Sequence, residues 1–249
     1  MAAVRGEGSP GRSRRQRSQL SDQVAHELRA RIMAGTLRPG DTIHLEDTAA
    51  ELDVSITPLR DALLTLRGEG FVEPGARRGF VVSELSRDDV MDVFWLQRQI
   101  ANELARRAAR RLTPEASQRL DDRIGSLRAA VAGGDAEAIS DAEFAFHREL
   151  NRLARAPKLA SFQLKMGWYA PHRLYSVDRS WGEFAVASHE RLVGAIRRAD
   201  MDEIDAETRV LFADAAQRLL AHLDRVGMWE ESTDGSGDDS PADRSAMRS

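Results

Sequence analysis

The stretch from Leu45 to Phe80 constrains the fold of this 249-residue chain more than any other part of it. Its pattern predicts a short helix, a turn at Asp53 and Val54, a second helix that opens at Ser55, and a small two-stranded hairpin. A winged helix-turn-helix has this order of elements, and it places its second helix in the major groove of DNA and its hairpin beside the backbone. The segment therefore predicts a DNA-binding protein.

Three helices and the hairpin are expected to form a first domain over residues 20–83. The first helix is predicted to begin at Ser21 as its cap, with Val24, Leu28 and Ile32 on one apolar face. The apolar face of the third helix is formed by Leu59, Ala62, Leu63 and Leu66. This arrangement leaves the amino end of the third helix exposed, and that end of a recognition helix meets base edges.

Both ends of the chain are predicted to lie outside the folded domains. Residues 1–19 are a basic arm with five arginines against one acid, in a chain whose formal net charge is -4. Gly and Ser dilute this charge, so we expect a disordered, solvated arm, with phosphate contact as the alternative. Residues 231–249 are nearly all Ser, Asp, Gly, Arg and Pro, which predicts a disordered tail.

The absence of cysteine excludes disulfides, zinc-cysteine sites and thiol catalysis, and it fits a reducing compartment. No run of about 18 apolar residues predicts a membrane span, and the arginine-rich start lacks the apolar stretch of a secretory signal. We therefore expect a soluble, cytoplasmic protein with no membrane partner.

The remainder of the folded chain, residues 86–227, is predicted to be an all-α domain. Ser86 followed by Asp89 is a capping box, and the later breaks pair a helix stop with a cap or a first-turn proline. The predicted helices span about 87–112, 114–132, 135–155, 157–177, 182–199 and 200–227. Because the connections are short, we expect a mostly α fold in which an antiparallel six-helix bundle follows the winged helix-turn-helix.

At fixed spacing, many residues of the first domain resemble the N-terminal domain of GntR-family regulators. The matching stretches are Gly35 to Gly40, Ala49 to Leu52, Val54 to Leu63, Leu66, Glu69 to Val72 and Arg78 to Phe80. The helical part resembles the ligand-sensing FCD domain of that family's fatty-acid-regulator branch. This looser resemblance lies in Arg98, Ala105, Ala108-Ala109, Phe146-His147, His189-Glu190 and Ala195-Ile196. The resemblance implies a dimeric transcription factor, usually a repressor, that a small metabolite releases from a palindromic double-stranded operator.

The resemblance places Arg60 where the family's recognition helix keeps an arginine that approaches the bases. An arginine there can grip guanine O6 and N7 bidentately; the alternative is a surface arginine paired with Asp61 or Glu51. Ser55 and Thr57 could offer hydroxyls to phosphates, although both are also ordinary capping residues. Arg77, Arg78 and Gly79 match the family's wing tip, where the two arginines could reach phosphates or the minor groove, although a solvated loop would also tolerate them. Two departures, Ile56 and Glu46, stand where relatives often have basic residues, so we expect an operator that differs from the common family consensus.

Many relatives hold a divalent metal with an aspartate and a histidine four residues apart on one helix and two later histidines. Here the corresponding residues are Glu143, His147 and His189, while the final position falls on Leu211, which cannot be a ligand. A three-ligand site for Zn²⁺, Mn²⁺ or Ni²⁺ remains chemically open. The alternative is that the two histidines are hydrogen-bonded interior residues that line a cavity.

The resemblance also assigns an effector clamp. Arg98 matches a first-helix arginine that points into the cavity, and Asn102 replaces the usual glutamate, which removes the expected counter-charge. An unpaired Arg98 would favour a small organic-acid effector. Tyr169 and His172 could add an aromatic wall with polar groups, although Trp and Tyr at helical spacing are often core residues.

Two other classes of protein stay open at this point. One is an architectural DNA-binding protein whose bundle only dimerises, and the other is a helical metalloenzyme. The chain carries no glycine-rich phosphate loop, nucleophile elbow or H-E-x-x-H motif, so we do not expect an enzyme.

Overall fold

The computed structural model describes residues 10–75, 79–169 and 179–229. The described residues form nine α-helices and three short strands. Three helices and all three strands precede the linker at residues 83–86, and six helices follow it. The predicted fold class, a winged helix-turn-helix with a six-helix bundle behind it, is confirmed.

The first domain is built on helices α1 (Pro10–Met33), α2 (Leu45–Glu51) and α3 (Ile56–Glu69). α1 packs along α3, and the apolar faces predicted for both helices are buried. Leu59, Ala62, Leu63 and Leu66 are fully inaccessible to solvent. The hydrophobic periodicity of α1 and α3 therefore identified the core that holds the recognition helix in place.

α1 begins earlier than the sequence predicts. The prediction of a disordered basic arm over residues 1–19 is wrong for residues 10–19, which lie in α1. Residues 1–9 are outside the described residues. The arginines and glutamines among residues 10–19 are good helix formers. Ser21 is consequently inside the helix rather than at its cap, and its hydroxyl donates to the carbonyl of Ser18 at 3.0 Å.

The wing is a three-stranded antiparallel sheet in the order β1-β3-β2, made of β1 (Thr42–Ile43), β2 (Val72–Pro74) and β3 (Phe80–Val82). β2 and β3 are the predicted hairpin, with Val72 opposite Val82. β1 was not predicted, because a strand of two residues is too short to show alternation of apolar and polar residues.

The second domain starts with α4 (Arg87–Ala109), whose first turn has the predicted Ser86–Asp89 capping box. The other helices of this domain are α5 (Pro114–Gly133), α6 (Ala136–Ala154), α7 (Pro157–Met166), α8 (Arg179–Arg198) and α9 (Met201–Arg225). α4 packs on α6, α7 and α9, while α5 packs on α6 and α8. α7 is shorter than predicted: it ends at Met166 and continues as a 3₁₀ turn over Gly167–Tyr169.

The carboxyl end of α9 lies against the first domain and the linker. A ring nitrogen of His222 is 3.1 Å from the carbonyl oxygen of Met33, and the indole N–H of Trp229 donates to the Leu85 carbonyl at 2.5 Å. Arg87 pairs with Asp224 and also lies over the ring of Trp229. Among the described helices, none is long and apolar enough to cross a membrane.

Candidate functional sites

The amino end of α3 presents polar side chains to solvent. Ser55 is the N-cap residue with an extended backbone, and its hydroxyl makes no capping hydrogen bond. Thr57 and Arg60 are exposed, whereas Pro58 and Leu59 between them are buried. The helix is therefore fixed by one face while its opposite face offers two hydroxyls and a guanidinium group.

Arg60 has no ion pair among the described residues. Of the two acids that could have neutralised it, Glu51 accepts a hydrogen bond from Arg31 at 2.7 Å instead. Asp61 forms no ion pair with Arg60 in the described part of the chain, and its backbone carbonyl accepts the hydroxyl of Thr65 at 3.1 Å. The guanidinium of Arg60 is thus available to a partner outside the chain.

A buried ion pair fixes the other end of α3. Two guanidinium nitrogens of Arg29 on α1 contact the two carboxylate oxygens of Glu69, at 2.5 and 2.9 Å. Both side chains are nearly buried, and such bidentate geometry restricts orientation as well as distance. Gly70 then ends α3 in the left-handed conformation, with φ of 85°. The carboxyl end of α3 is consequently clamped to α1.

The wing tip is described only in part. Gly79 is half-buried, and its carbonyl accepts the amide of Gly75 at 3.0 Å, which closes the hairpin. Arg77 and Arg78 lie outside the described residues. The two departures noted from the sequence, Ile56 and Glu46, are both exposed on the first domain.

A cavity of about 720 Å³ opens in the bundle between α6 and α7, with α4, α8 and α9 as its other walls. Its apolar lining includes Phe94, Ile139, Leu164, Trp181, Leu211 and Phe212. Small-molecule sites commonly have roughly 300–1,000 Å³ and mostly apolar walls. The bundle therefore contains a cavity of the size and character of a ligand site.

Glu143, His147 and His189 meet in this cavity. A carboxylate oxygen of Glu143 lies 2.9 Å from Nε2 of His189 and 3.4 Å from Nε2 of His147. Glu143 and His189 are buried, His147 is half-buried, and Phe146 stacks on the His189 ring with centroids 4.1 Å apart. Residues four apart on α6 and one residue of α8 thus form a single polar cluster at the cavity wall.

The cluster favours the ionised carboxylate of Glu143. Burial alone would raise the pKa of Glu143, but the charge of His189 and hydrogen bonds from His147 and His189 outweigh that effect. The pKa of Glu143 therefore lies well below its ordinary value. A negative charge at this position suits either a metal ion or a hydrogen-bonded pair with His189.

These donors fit a divalent metal ion in number and type. One ligand atom from each of the three residues lies within 4.8 Å of the others. Leu211, which stands at the family's fourth ligand position, lines the same cavity and offers no donor atom, as the sequence predicted. Nδ1 of His189 is buried and has no hydrogen-bond partner among the described residues, whereas a ligating histidine usually donates its second N–H. The three residues therefore offer a partial coordination shell in which the second ring nitrogen of His189 has no hydrogen-bond acceptor among the described residues.

The structure contradicts the clamp predicted at Arg98 and Asn102. Arg98 donates to Asp205 at 2.7 Å and Asn102 donates to the same oxygen at 2.9 Å, and neither residue lines the cavity. Hydrogen bonding from Arg209 and Arg98 outweighs desolvation and lowers the pKa of Asp205. Asp205, on α9, therefore supplies the counter-charge that was expected to be missing, and Arg98 is not an unpaired anion site.

Tyr169 also lies away from the cavity. Its hydroxyl donates to the carbonyl of Glu69, and its ring stacks on Phe71 in the first domain with centroids 4.5 Å apart. Burial raises the pKa of this hydroxyl. Tyr169 is thus a residue of the domain junction rather than an aromatic wall of the cavity, and His172 lies outside the described residues.

The sequence did not single out the basic residues at the cavity. Arg148, Arg152 and Arg155 line it from one face of α6 and its C-cap, and all three are exposed. Arg152 pairs with Glu149 at 2.5 Å. The spacing of these arginines, four and three residues, placed them on one helix face, which was a usable signal.

Both domains match known families, and related proteins cover most of the chain. The family model described as "Bacterial regulatory proteins, gntR family" matches residues 20–82, and the FCD domain model matches residues 92–224. The HTH-type transcriptional regulator McbR of Escherichia coli (strain K12) is 25% identical over 150 residues, which are 60% of this chain and 68% of McbR. The HTH-type transcriptional repressor RspR of the same strain is 22% identical over 196 residues, which are 75% of this chain and 82% of RspR.

The fold is shared with a solved structure. The structure of E. coli McbR/YncC superposes with a TM-score of 0.59 at 22% sequence identity, over 83% of this chain and 97% of that chain. The FCD match alone spans more than half of the chain, and the gntR match covers the residues that form the winged helix-turn-helix. This protein therefore belongs to the GntR family of DNA-binding transcriptional regulators, in the branch that carries an FCD domain.

Proposed function

We propose that the protein is a metabolite-responsive repressor that binds a palindromic operator as a homodimer. The observation that carries the proposal is the exposed amino end of α3, with Arg60 unpaired among the described residues, on a helix whose other face is buried. RspR, one of the relatives, is named a repressor. The bundle cavity supplies a second site through which a small molecule can control DNA binding.

On the DNA side, Arg60 is proposed to read a guanine, because its guanidinium can donate two parallel hydrogen bonds to O6 and N7. Ser55 and Thr57 would bind phosphates through their hydroxyls. Arg77, Arg78 and Gly79 at the wing tip would contact the backbone or the minor groove. One α3 helix reads only a half-site, so a two-fold dimer would require half-sites about 34–36 Å apart.

The effector is proposed to be a small organic acid with an apolar body. The apolar walls of the cavity favour burial of a hydrocarbon or aromatic part. Arg148 and Arg155 stand at the cavity without an ion pair in the described ranges and could bind a carboxylate, while Arg152 already binds Glu149. Arginines of α6 thus take the role that the sequence gave to Arg98.

Glu143, His147 and His189 are proposed to hold a divalent cation, with Zn²⁺, Mn²⁺ and Ni²⁺ as candidates. The converging oxygen and nitrogen donors support this proposal. When bound, the ion would offer open coordination positions to an effector carboxylate. Without the ion, the ionised carboxylate of Glu143 would repel an effector carboxylate at this wall, so the cation is the part of the site that attracts an acid.

DNA binding is tested first with the whole chain. Duplexes selected from a random pool should converge on an inverted repeat, and light scattering should give two chains per selected duplex. Failure to enrich any duplex at moderate salt would refute the DNA-binding site proposed at α3, since base contacts and not bulk charge must supply the affinity of a chain with net charge -4.

Effector control is tested with a panel of aliphatic and aromatic monocarboxylic acids and their neutral primary amides. An acid that binds the folded chain should raise its melting temperature and release the selected duplex, whereas the amide of the same shape should do neither. If the acids change neither melting nor DNA affinity, the bundle only dimerises and the protein is architectural.

A further inference from the structure

Four residues at the end of α7 connect the cavity with the recognition helix. We call residues 166–169 the bridging segment. Gly167 lines the cavity, and the next two residues, Trp168 and Tyr169, contact the DNA-binding domain. The same short piece of chain therefore has one side at the ligand site and the other at the helix that reads DNA.

Gln97 fixes the cavity end of the bridging segment. This residue of α4 is 5% exposed and lines the cavity, and its side-chain amide donates to the Met166 carbonyl at 3.2 Å. One turn earlier on α7, the amide oxygen of Gln163 is buried and has no hydrogen-bond partner in the described part of the chain. A ligand with a donor group would satisfy this oxygen, and any bulky ligand would press on the same turn. A ligand in the cavity would therefore contact the turn that leads into the bridging segment.

Tyr169 fixes the other end. Its hydroxyl donates to the carbonyl of Glu69, the last residue of α3, and its ring stacks on Phe71. Between them, a Cβ added at Gly70 would lie 3.0 Å from the Tyr169 hydroxyl oxygen, so this hydroxyl lies close against the turn that ends α3. Movement of Tyr169 must therefore move the turn or break the hydrogen bond.

Trp168 contacts Arg29, the α1 residue of the buried ion pair with Glu69. The guanidinium of Arg29 lies 4.4 Å from the centre of the Trp168 ring, and the same group binds Glu69 with two hydrogen bonds. Two neighbouring aromatic residues thus hold both partners of the buried ion pair that orients α3. A contact of this kind is desolvated and directional, which makes it sensitive to small displacements.

We propose that the bridging segment is the element that couples the cavity to α3, with Gln97 and Tyr169 as its positioning residues. This inference rests on the proposed effector control. Coupling requires that the ligand interact differently with two arrangements of the segment, and the bond from Gln97 to Met166 is available in only one of them. A second cavity of about 260 Å³ beside Tyr169 and Phe71 gives the tyrosine ring space for a second position.

α9 offers a competing route. Leu211 and Phe212 line the cavity, and His222 further along the helix contacts the Met33 carbonyl. That contact reaches the carboxyl end of α1 rather than α3. A matched pair of variants, Tyr169→Phe and His222→Phe, distinguishes the two routes because each removes one polar contact and keeps an aromatic ring.

The test perturbs the cavity wall and measures the end of α3. Gln97→Met removes the hydrogen bond to Met166 at similar volume, and Ser140→Ala, elsewhere in the same cavity, is the control. Hydrogen exchange of the Phe71 amide, which is bonded to the Leu66 carbonyl at 3.0 Å, is followed in the full-length protein. We expect Gln97→Met to accelerate this exchange by roughly 2- to 12-fold, the range of one hydrogen bond, and Ser140→Ala to leave it unchanged.

The same substitution is then repeated in two backgrounds. In the Tyr169→Phe background the effect of Gln97→Met on exchange should disappear, and in the His222→Phe background it should persist. The proposal is overturned if the effect of Gln97→Met survives Tyr169→Phe or is lost only with His222→Phe. It is also overturned if Gln97→Met has no effect on the exchange. Affinity for the selected duplex should follow the same pattern. Because exchange needs no DNA, a protein that shows the coupling but enriches no duplex refutes the proposed function and not the bridging segment.

Discussion

The exposed guanidinium of Arg60 allows base reading to be separated from simple attraction to DNA. Arg60→Ala removes a side chain that has no ion pair among the described residues, so the free energy of unfolding should change by less than about 0.5 kcal/mol. A bidentate contact with guanine contributes about 1–3 kcal/mol of discrimination. The expected loss of operator affinity is therefore about 5- to 150-fold for each half-site.

The assay is fluorescence anisotropy with the selected operator and with a scrambled duplex of equal length and composition. Arg60→Lys keeps the charge but not the planar pair of donors, and it should recover little operator affinity. Arg67→Ala is the matched control, because Arg67 is an exposed arginine in the last turn of the same helix. Its removal should affect both duplexes weakly.

The salt dependence gives a second measure. If Arg60 contacts a base, the slope of log affinity against log salt should stay close to that of the parent protein, whereas loss of a phosphate contact would reduce it by roughly 1. Equal losses on operator and scrambled DNA, or full recovery with Arg60→Lys, would show that Arg60 acts through charge alone and would refute the reasoning.

Three further outcomes are expected. Leu63→Ala, at a fully buried position of α3, should lower the free energy of unfolding measured in urea by about 2–5 kcal/mol. Leu64→Ala, at the exposed neighbouring position, should change it by less than about 0.5 kcal/mol. Similar costs for the two variants would contradict the burial of Leu63. Ser86→Ala should cost about 1 kcal/mol near neutral pH. The hydroxyl and the backbone N–H of Ser86 both donate to the Asp89 carboxylate and lower its pKa from 3.8, but the substitution removes only the hydroxyl's bond. The stability that this bond contributes is present above pH 3.8 and should fade as pH falls through the lowered value; a pH-independent difference from the parent protein would contradict this. Glu143→Gln should remove Zn²⁺, measured by elemental analysis after dialysis, from a parent protein that retains about one ion per chain; equal metal in both proteins, or none in the parent, would exclude the proposed site.

Local patterns determined how much of the fold was predictable. The four-residue spacing of Val24, Leu28 and Ile32 and the capping box at Ser86 involve neighbours within two helical turns, and the structure has both. The start of α1 was missed because its first residues have good helix propensity but no core-facing period.

Contacts between residues distant in sequence were not predictable in the same way. Asp205 neutralises Arg98 from 107 residues further along the chain, and Tyr169 reaches Glu69 across 100 residues. Nothing in the spacing near Arg98 or Tyr169 indicates these partners, because they depend on how helices pack. The resemblance brought Glu143, His147 and His189 together, and the four-residue spacing of Glu143 and His147 on one helix was the only local signal among them.

The linker between the two domains has a consequence for the DNA itself. Its first residue, Ser83, donates its amide to the Phe71 carbonyl, its Leu85 carbonyl accepts the indole of Trp229, and Ser86 closes the capping box. A connection held at both ends would leave the proposed dimer little freedom to adjust to half-sites at a different separation. Inserting a single base pair into the spacer would turn one half-site by about 34–36° and shift it by about 3.4 Å. Such a regulator would bind only operators whose half-sites lie on the same face of the DNA helix at one separation. Operators with one spacer length should therefore greatly outnumber all others among its binding sites.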